Sequence, residues 1–113
     1  DGCFMFSVPS SVHWMAKRYD TPFLQIVLNN GGWNAPKFST LAVHPNGEAS
    51  RAENLDFSFE PSPDYAGIAL ASGAGWGRKI TRADEVSAAL SDAMDAVRTQ
   101  GVSAVLDVCL TQN

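Results

Sequence analysis

Positive charge is scarce in this 113-residue chain: 8 Lys and Arg stand against 12 Asp and Glu, a formal net charge of −4. That balance excludes nucleic acid as a partner, because gripping a phosphate backbone takes clustered Lys and Arg. Long hydrophobic runs are missing too. The apolar stretch Phe23 to Leu28 stops at six residues, far short of the roughly 18 that a membrane span requires, so no membrane partner is expected. The two cysteines, Cys3 and Cys109, lie at opposite ends and make neither metal-ligand spacing nor a disulfide framework. A reducing, intracellular setting is the expectation, with nothing to separate cytoplasm from mitochondrion. No Gly-x-Gly-x-x-Gly follows a strand-like segment, which disfavours a dinucleotide- or flavin-binding module. No targeting segment is visible, and the chain opens at Asp1-Gly2 without a lead-in. It reads as a single domain, residues 1–113, cut from a longer multidomain protein.

What is present is an alternation of helix and strand signals. Val8 to Tyr19 has Val12, Met15, Ala16 and Tyr19 on one helical face, with Ser7 or Ser10 as cap and Pro9 suited to a first turn. Phe23 to Leu28 is a nearly unbroken apolar run, as expected of a strand covered on both faces. Asn29-Asn30-Gly31-Gly32 then makes a turn, and a short helix is predicted around Ala35 to Thr40. His44 to Pro61 reads as a long polar loop in which Phe57 and Phe59 alternate with polar residues and pack against something. Ser62-Pro63-Asp64 is a helix start, Tyr65, Ile68 and Ala69 its buried face, and Gly73 its stop. Trp76 to Ile80 is a short strand. Thr81 and Asp84 suggest a capping box for a helix whose apolar repeat is Val86, Leu90, Ala93, Met94 and Val97. Gly101 ends that helix, and Val102 to Leu110 is the last strand.

Helices alternating with strands call for right-handed crossovers. The fold class expected is therefore α/β, an open, mostly parallel sheet with helices on both faces, incomplete at its N-terminal end. Such sheets bind ligands at the carboxyl ends of their strands. Two turns belong at that edge, Asp1-Gly2-Cys3 and Asn29 to Gly32, and the 26 residues between Gly2 and Asn29 suffice for one helix and one strand returning to it. A carboxylate from Asp1, an amide oxygen from Asn30 and a turn carbonyl at Gly32 are hard oxygen donors, a set that suits Mg²⁺ and its habit of sharing phosphates. Backbone N–H groups of Gly2 and Cys3 near a helix start would favour phosphate. Residue type and spacing thus propose a Mg²⁺–diphosphate clamp without naming the molecule that carries the diphosphate.

Asp1-Gly2, 26 residues, then Asn29-Asn30-Gly31 resembles the thiamine-diphosphate motif, Gly-Asp-Gly followed by Asn-Asn, entered one residue inside. Tyr65-Ala66-Gly67-Ile68-Ala69 up to Gly73 is similar to the segment after the metal loop in acetolactate synthase-like enzymes. Glu85-Val86 to Leu90 and Ala104-Val105-Leu106-Asp107-Val108 are similar to their closing helix and strand. The resemblance covers nearly the whole chain and implies the carboxyl-terminal, pyrophosphate-binding domain of that family. It implies Asp1 and Asn30 as side-chain Mg²⁺ ligands, Gly32 as a backbone-carbonyl ligand, and Gly2, Cys3, Asn30 and Gly31 as cofactor-binding residues. The reaction implied is 2-oxo acid decarboxylation or acetolactate-type carboligation by a homodimer or homotetramer. No catalytic residue lies in this chain on that reading. The glutamate that activates the aminopyrimidine comes from an amino-terminal domain, and the bulky residue that bends the cofactor lies upstream. FAD is compatible with the full-length protein and has no visible site here. Two departures stand out: Val8-Pro9-Ser10-Ser11 replaces a frequent Gln-Glu pair, and Gly32-Trp33-Asn34-Ala35-Pro36-Lys37 replaces a Tyr-containing loop.

Other residues have plainer readings. His13 is expected on the exposed or lateral side of its helix as a structural residue, and His44 as a solvated loop residue. Trp33 either packs over the turn or faces the substrate or the cofactor. Trp14 and Trp76 go to core or subunit contacts, Tyr65 and Met94 to the core, and Arg78-Lys79 to solvent. The competing function is a non-catalytic remnant that keeps the fold and its contacts; intact Asp1 and Asn30 argue against it.

Overall fold

The computed structural model describes residues 1–110. Its elements are α1 (Gly2–Phe6), α2 (Pro9–Arg18), β1 (Leu24–Asn29), α3 (Asn34–Val43), α4 (Glu48–Arg51), α5 (Tyr65–Ser72), β2 (Trp76–Ile80), α6 (Val86–Arg98) and β3 (Ala104–Cys109). The three strands form one parallel sheet in the order β1-β3-β2. The class is α/β with an open sheet, as the alternation of periods required. Among the described residues no helix is long and apolar enough to cross a membrane.

β3 is central, and its pleat sorts the two cores. Ala104 and Leu106 face α6, whose Ala89, Ala93 and Ala96 are fully buried, and Ile80 of β2 completes that cluster. Three alanines on one stripe let the helix approach the strands closely. Val105 faces the other way and joins Val27, Phe4 of α1, Tyr65 and Ala69 of α5, and Ala74. The rings of Phe4 and Tyr65 meet edge to face at 5.5 Å. α2 lies outside this layer, packed against α5 and α1.

Several expectations need correction. β1 is an edge strand and is not covered on both faces: Ile26 is 48% and Leu28 58% exposed. α6 lies over β3 and β2 and reaches Leu24 of β1 but not these two. In α2 the buried residues are His13 and Ala16, while Val12, Met15 and Tyr19 are exposed. The two stripes sit one residue apart at the same helical spacing, and contact with the layer beneath selects the His13 stripe. His13 is therefore a core residue, its ring stacked on Phe23 at 5.1 Å and its Nε2 3.0 Å from Gln25 Oε1. Trp14 is exposed, with the Arg18 guanidinium over its ring. Thr81 and Asp84 form no capping box. A 3₁₀ turn over Ala83–Glu85 precedes α6, and the Asp84 carboxylate accepts from Arg82 Nε at 3.0 Å, a charged partner in place of a backbone amide. Along α6 the buried stripe runs through Ala89, Ala93 and Ala96, which leaves Leu90 partly exposed.

Elsewhere the local signals and the structure agree. Asp64 caps α5, its carboxylate accepting from Gly67 N at 2.8 Å, and Gly73 ends the helix at φ 124°. α3 starts at Asn34 and extends to Val43, longer than expected. The stretch His44 to Pro61 contains the single turn α4 and, near its end, an antiparallel bridge between Ser58 and Gly32.

Candidate functional site

The carboxyl end of β1 and the start of α1 meet at Asp1. Its backbone nitrogen donates to the Leu28 carbonyl at 3.1 Å, which sets the residue beside the last turn of the edge strand. Asp1 Oδ1 then accepts from Gly2 N at 2.8 Å as the cap of α1, and Oδ2 accepts from Gly32 N at 3.1 Å. One carboxylate thus ties the first motif to the second across 31 residues of sequence.

Asn30 closes the arrangement. One end of its side-chain amide lies 2.9 Å from the Gly32 carbonyl oxygen and 3.2 Å from each Asp1 carboxylate oxygen. With the nitrogen at that end, Asn30 donates to all three acceptors. Turning the amide by half a revolution, which changes no heavy-atom position, puts its oxygen there. The Asn30 oxygen then lies 2.9–3.2 Å from the Gly32 carbonyl and Asp1 carboxylate oxygens. Oxygens crowded in this way repel unless a cation lies among them, and the set is hard, anionic and small, as Mg²⁺ prefers. Among the described residues no three His, Cys, Asp or Glu side chains cluster as ligands.

The loop that carries Asn30 and Gly32 is held from several sides. Gly31 takes φ 78°, a left-handed conformation that glycine adopts without penalty. Its N–H donates to Asn29 Oδ1 at 3.2 Å and its carbonyl accepts from Phe59 N at 2.8 Å. Trp33 N donates to Phe57 O at 2.7 Å. Gly32 is buried, and a Cβ there would run into the Phe57 carbonyl, so no larger residue fits. The Asn30 carbonyl accepts from Asn34 Nδ2 at 3.0 Å. Part of the loop therefore packs, as the alternation suggested, with Phe59 edge-on to Trp33 at 5.4 Å and Phe6 against Trp33 at 5.1 Å. Trp33 covers the turn: a Cβ on Gly2 would stand 2.6 Å from its ring.

Asp1, Asn30 and Gly32 are brought together, and Gly2 lies directly beneath them with its N–H engaged by Asp1. Cys3 is exposed at the first turn of α1, where its carbonyl accepts from the Ser7 hydroxyl. A cleft of about 300 Å³ opens behind the loop, lined by Gly31, Asn34, Lys37 and Phe57 among others. Asp1 and Asn30 are not in its wall, so converging oxygens rather than concavity mark the site.

Beneath the loop lies a buried polar group that composition and spacing did not single out. Asn29, the last residue of β1, donates from Nδ2 to Asp107 Oδ1 at 3.1 Å and to Ser62 Oγ at 3.4 Å. Asp107 is fully buried in the central strand, and its Oδ2, like the Tyr65 hydroxyl, has no hydrogen-bond partner among the described residues. Burial raises the Asp107 carboxyl above the ordinary carboxylate range, opposed by the Asn29 bond. Burial, then the charge of Asp107, raises the Tyr65 phenol. The only sequence signal was a charged residue inside an apolar strand.

Residues 1–108 match the family described as thiamine pyrophosphate enzyme, C-terminal TPP binding domain. The chain belongs to this family. No curated protein and no solved structure matches it. Family membership makes this a thiamine-diphosphate-binding domain of a thiamine-diphosphate-dependent enzyme.

Proposed function

We propose that this chain is the Mg²⁺- and thiamine-diphosphate-binding half of a longer enzyme that makes or breaks a C–C bond beside a carbonyl. The reaction is 2-oxo acid decarboxylation or acetolactate-type carboligation. The observation that supports the metal part is that one end of the Asn30 amide lies 2.9 Å from the Gly32 carbonyl oxygen and 3.2 Å from each Asp1 carboxylate oxygen. On this reading Asp1 and Asn30 hold Mg²⁺ through side chains, Gly32 through its carbonyl, and Gly2, Cys3 and Gly31 line the diphosphate. Bound thiamine diphosphate supplies the carbanion chemistry. This chain's residues bind and orient: Asp1 fixes the start of α1 against the loop, and Trp33 and Phe59 pack against each other beside it.

On this reading the activating glutamate belongs to another domain. Active sites built between domains favour a homodimer or homotetramer. The exposed apolar residues Val12, Met15 and Tyr19 of α2 and Ile26 and Leu28 of β1 are surface such an assembly would cover.

Calorimetric titration of the full-length protein with thiamine diphosphate tests this reading. Binding is expected to require Mg²⁺ and to be lost in Asp1→Ala; tight binding without a divalent cation overturns it. The isolated 113-residue chain is expected to show no 2-oxo acid decarboxylation, and detectable turnover would overturn the placement of the catalytic groups elsewhere.

A further inference from the structure

Asn29 and Asp107 form a buried polar pair where an apolar pair would pack as well. Val27 and Val105 occupy the same face of the same two strands one step earlier and are both buried. A buried carboxylate with one oxygen unpartnered costs stability, since burial without full hydrogen bonding is unfavourable. The fold therefore does not need this pair for cohesion. What the pair does hold is the position of the loop. Asn29 uses both ends of its amide: Nδ2 is fixed by Asp107 Oδ1 at 3.1 Å, and Oδ1 accepts from Gly31 N at 3.2 Å. Gly31 lies between Asn30, one end of whose amide is 3.2 Å from each Asp1 carboxylate oxygen, and Gly32, whose carbonyl oxygen is 2.9 Å from that same amide end. β3 is the central strand, hydrogen-bonded on both sides, so Asp107 is anchored in the stiffest part of the sheet.

We infer that Asp107 is a positioning residue for the metal loop: acting through the Asn29 amide, it sets where Asn30 and Gly32 hold their oxygens. The inference rests on the Mg²⁺ reading above. Asp107 touches neither the oxygens nor the ligand point itself. Its effect passes through two hydrogen bonds, as the outer partners of metal ligands do; removing such partners typically weakens metal binding about 10–100-fold.

The test is the Mg²⁺ concentration that half-saturates thiamine diphosphate binding to the full-length protein, read by calorimetry, with the apo thermal midpoint measured beside it. Asp107→Leu keeps a similar volume and removes both the charge and the acceptor for Asn29 Nδ2. It is expected to raise the Mg²⁺ midpoint about tenfold or more, while the apo thermal midpoint holds or rises because a buried charge has gone. A purely structural residue would shift the two together.

The swapped pair, Asn29→Asp with Asp107→Asn, restores one donor facing one acceptor and still offers Gly31 N an oxygen. It is expected to bring the Mg²⁺ midpoint back to within about threefold of wild type, the coupling expected of neighbours in one network. Asn29→Asp alone sets two carboxylates face to face and is expected to bind Mg²⁺ more weakly than wild type. If it binds more tightly, the recovery comes from added charge and the inference falls. An unshifted midpoint in Asp107→Leu overturns the inference alone. Absence of Mg²⁺-dependent binding in wild type overturns the cofactor reading and this inference with it. Should Asp107→Leu fail to fold, the swapped pair decides: a wild-type-like midpoint supports the relay, and a shift beyond about tenfold overturns it.

Discussion

The two faces of the sheet are built on different terms. Toward α6 the buried contacts are all apolar: Ala89, Ala93 and Ala96 against Ala104, Leu106 and Ile80. Toward α1, α2 and α5 the layer holds Val27, Val105 and Phe4, but also buried His13, Asn29 and Asp107 and the hydroxyl of Tyr65. The first face gains transfer free energy and incurs no polar desolvation. The second gives up part of that gain, and it is the face that meets the Asp1–Asn30–Gly32 cluster. The contrast runs down a single strand, because alternate residues of β3 serve opposite layers. Cohesion is concentrated on one side, and orientation of the candidate site on the other.

The sharpest way to break this division is Gly32→Ala. The added methyl meets the Phe57 carbonyl inside a buried turn, so the loop must move and Mg²⁺-dependent cofactor binding should become undetectable by calorimetry. The α6 core is expected to survive, seen as retained slow amide exchange in β3. Next in size is Leu106→Ala on the apolar face, expected to cost about 2–5 kcal/mol in urea denaturation while leaving the Mg²⁺ midpoint of the folded fraction in place. A matching shift in that midpoint would show that the two faces are not separable.

The smallest effect is a pH dependence from the polar face. Burial lowers the His13 pKa below its ordinary 6.5, partly offset by the Gln25 hydrogen bond. The neutral ring is thus favoured in the fold, and the unfolded chain takes up the proton first. Stability from this residue is complete above pH 6.5 and declines as pH falls from there toward the lower folded value. Protonation would leave a buried N–H at Nδ1, which has no partner among the described residues. Denaturation midpoints measured from pH 7.5 down to 5 should fall in wild type and fall less in His13→Phe; parallel curves would remove His13 as the cause.

Much of this was legible in the residues, for reasons that differ from element to element. Ser62-Pro63-Asp64 and Gly73 bracket α5 because caps and stops act within one turn. The convergence of Asp1 with Asn30 followed from topology, since a parallel sheet returns its βα turns to one edge. Val12, Met15 and Tyr19 misled, because two stripes of α2 share helical spacing and only the layer beneath distinguishes them. Ile26 and Leu28 misled for a similar reason: an apolar run gives no sign of how far α6 reaches across the sheet. Asp107 went unnoticed as a site residue because its partner Asn29 is 78 positions away.

The sequence by itself determined the alternation of helix and strand, the parallel sheet that follows from it, and the kinship carried by Asp1-Gly2 and Asn29-Asn30-Gly31. Those depend on local periodicity and short spacings, which a linear chain records directly. Only the tertiary structure decided which stripe of α2 is buried, which face of β1 stays open, and that a carboxylate in the central strand reaches the Asn30–Gly32 loop through one amide. Such facts depend on contacts between segments far apart in the chain, and no local pattern encodes the partner on the other side.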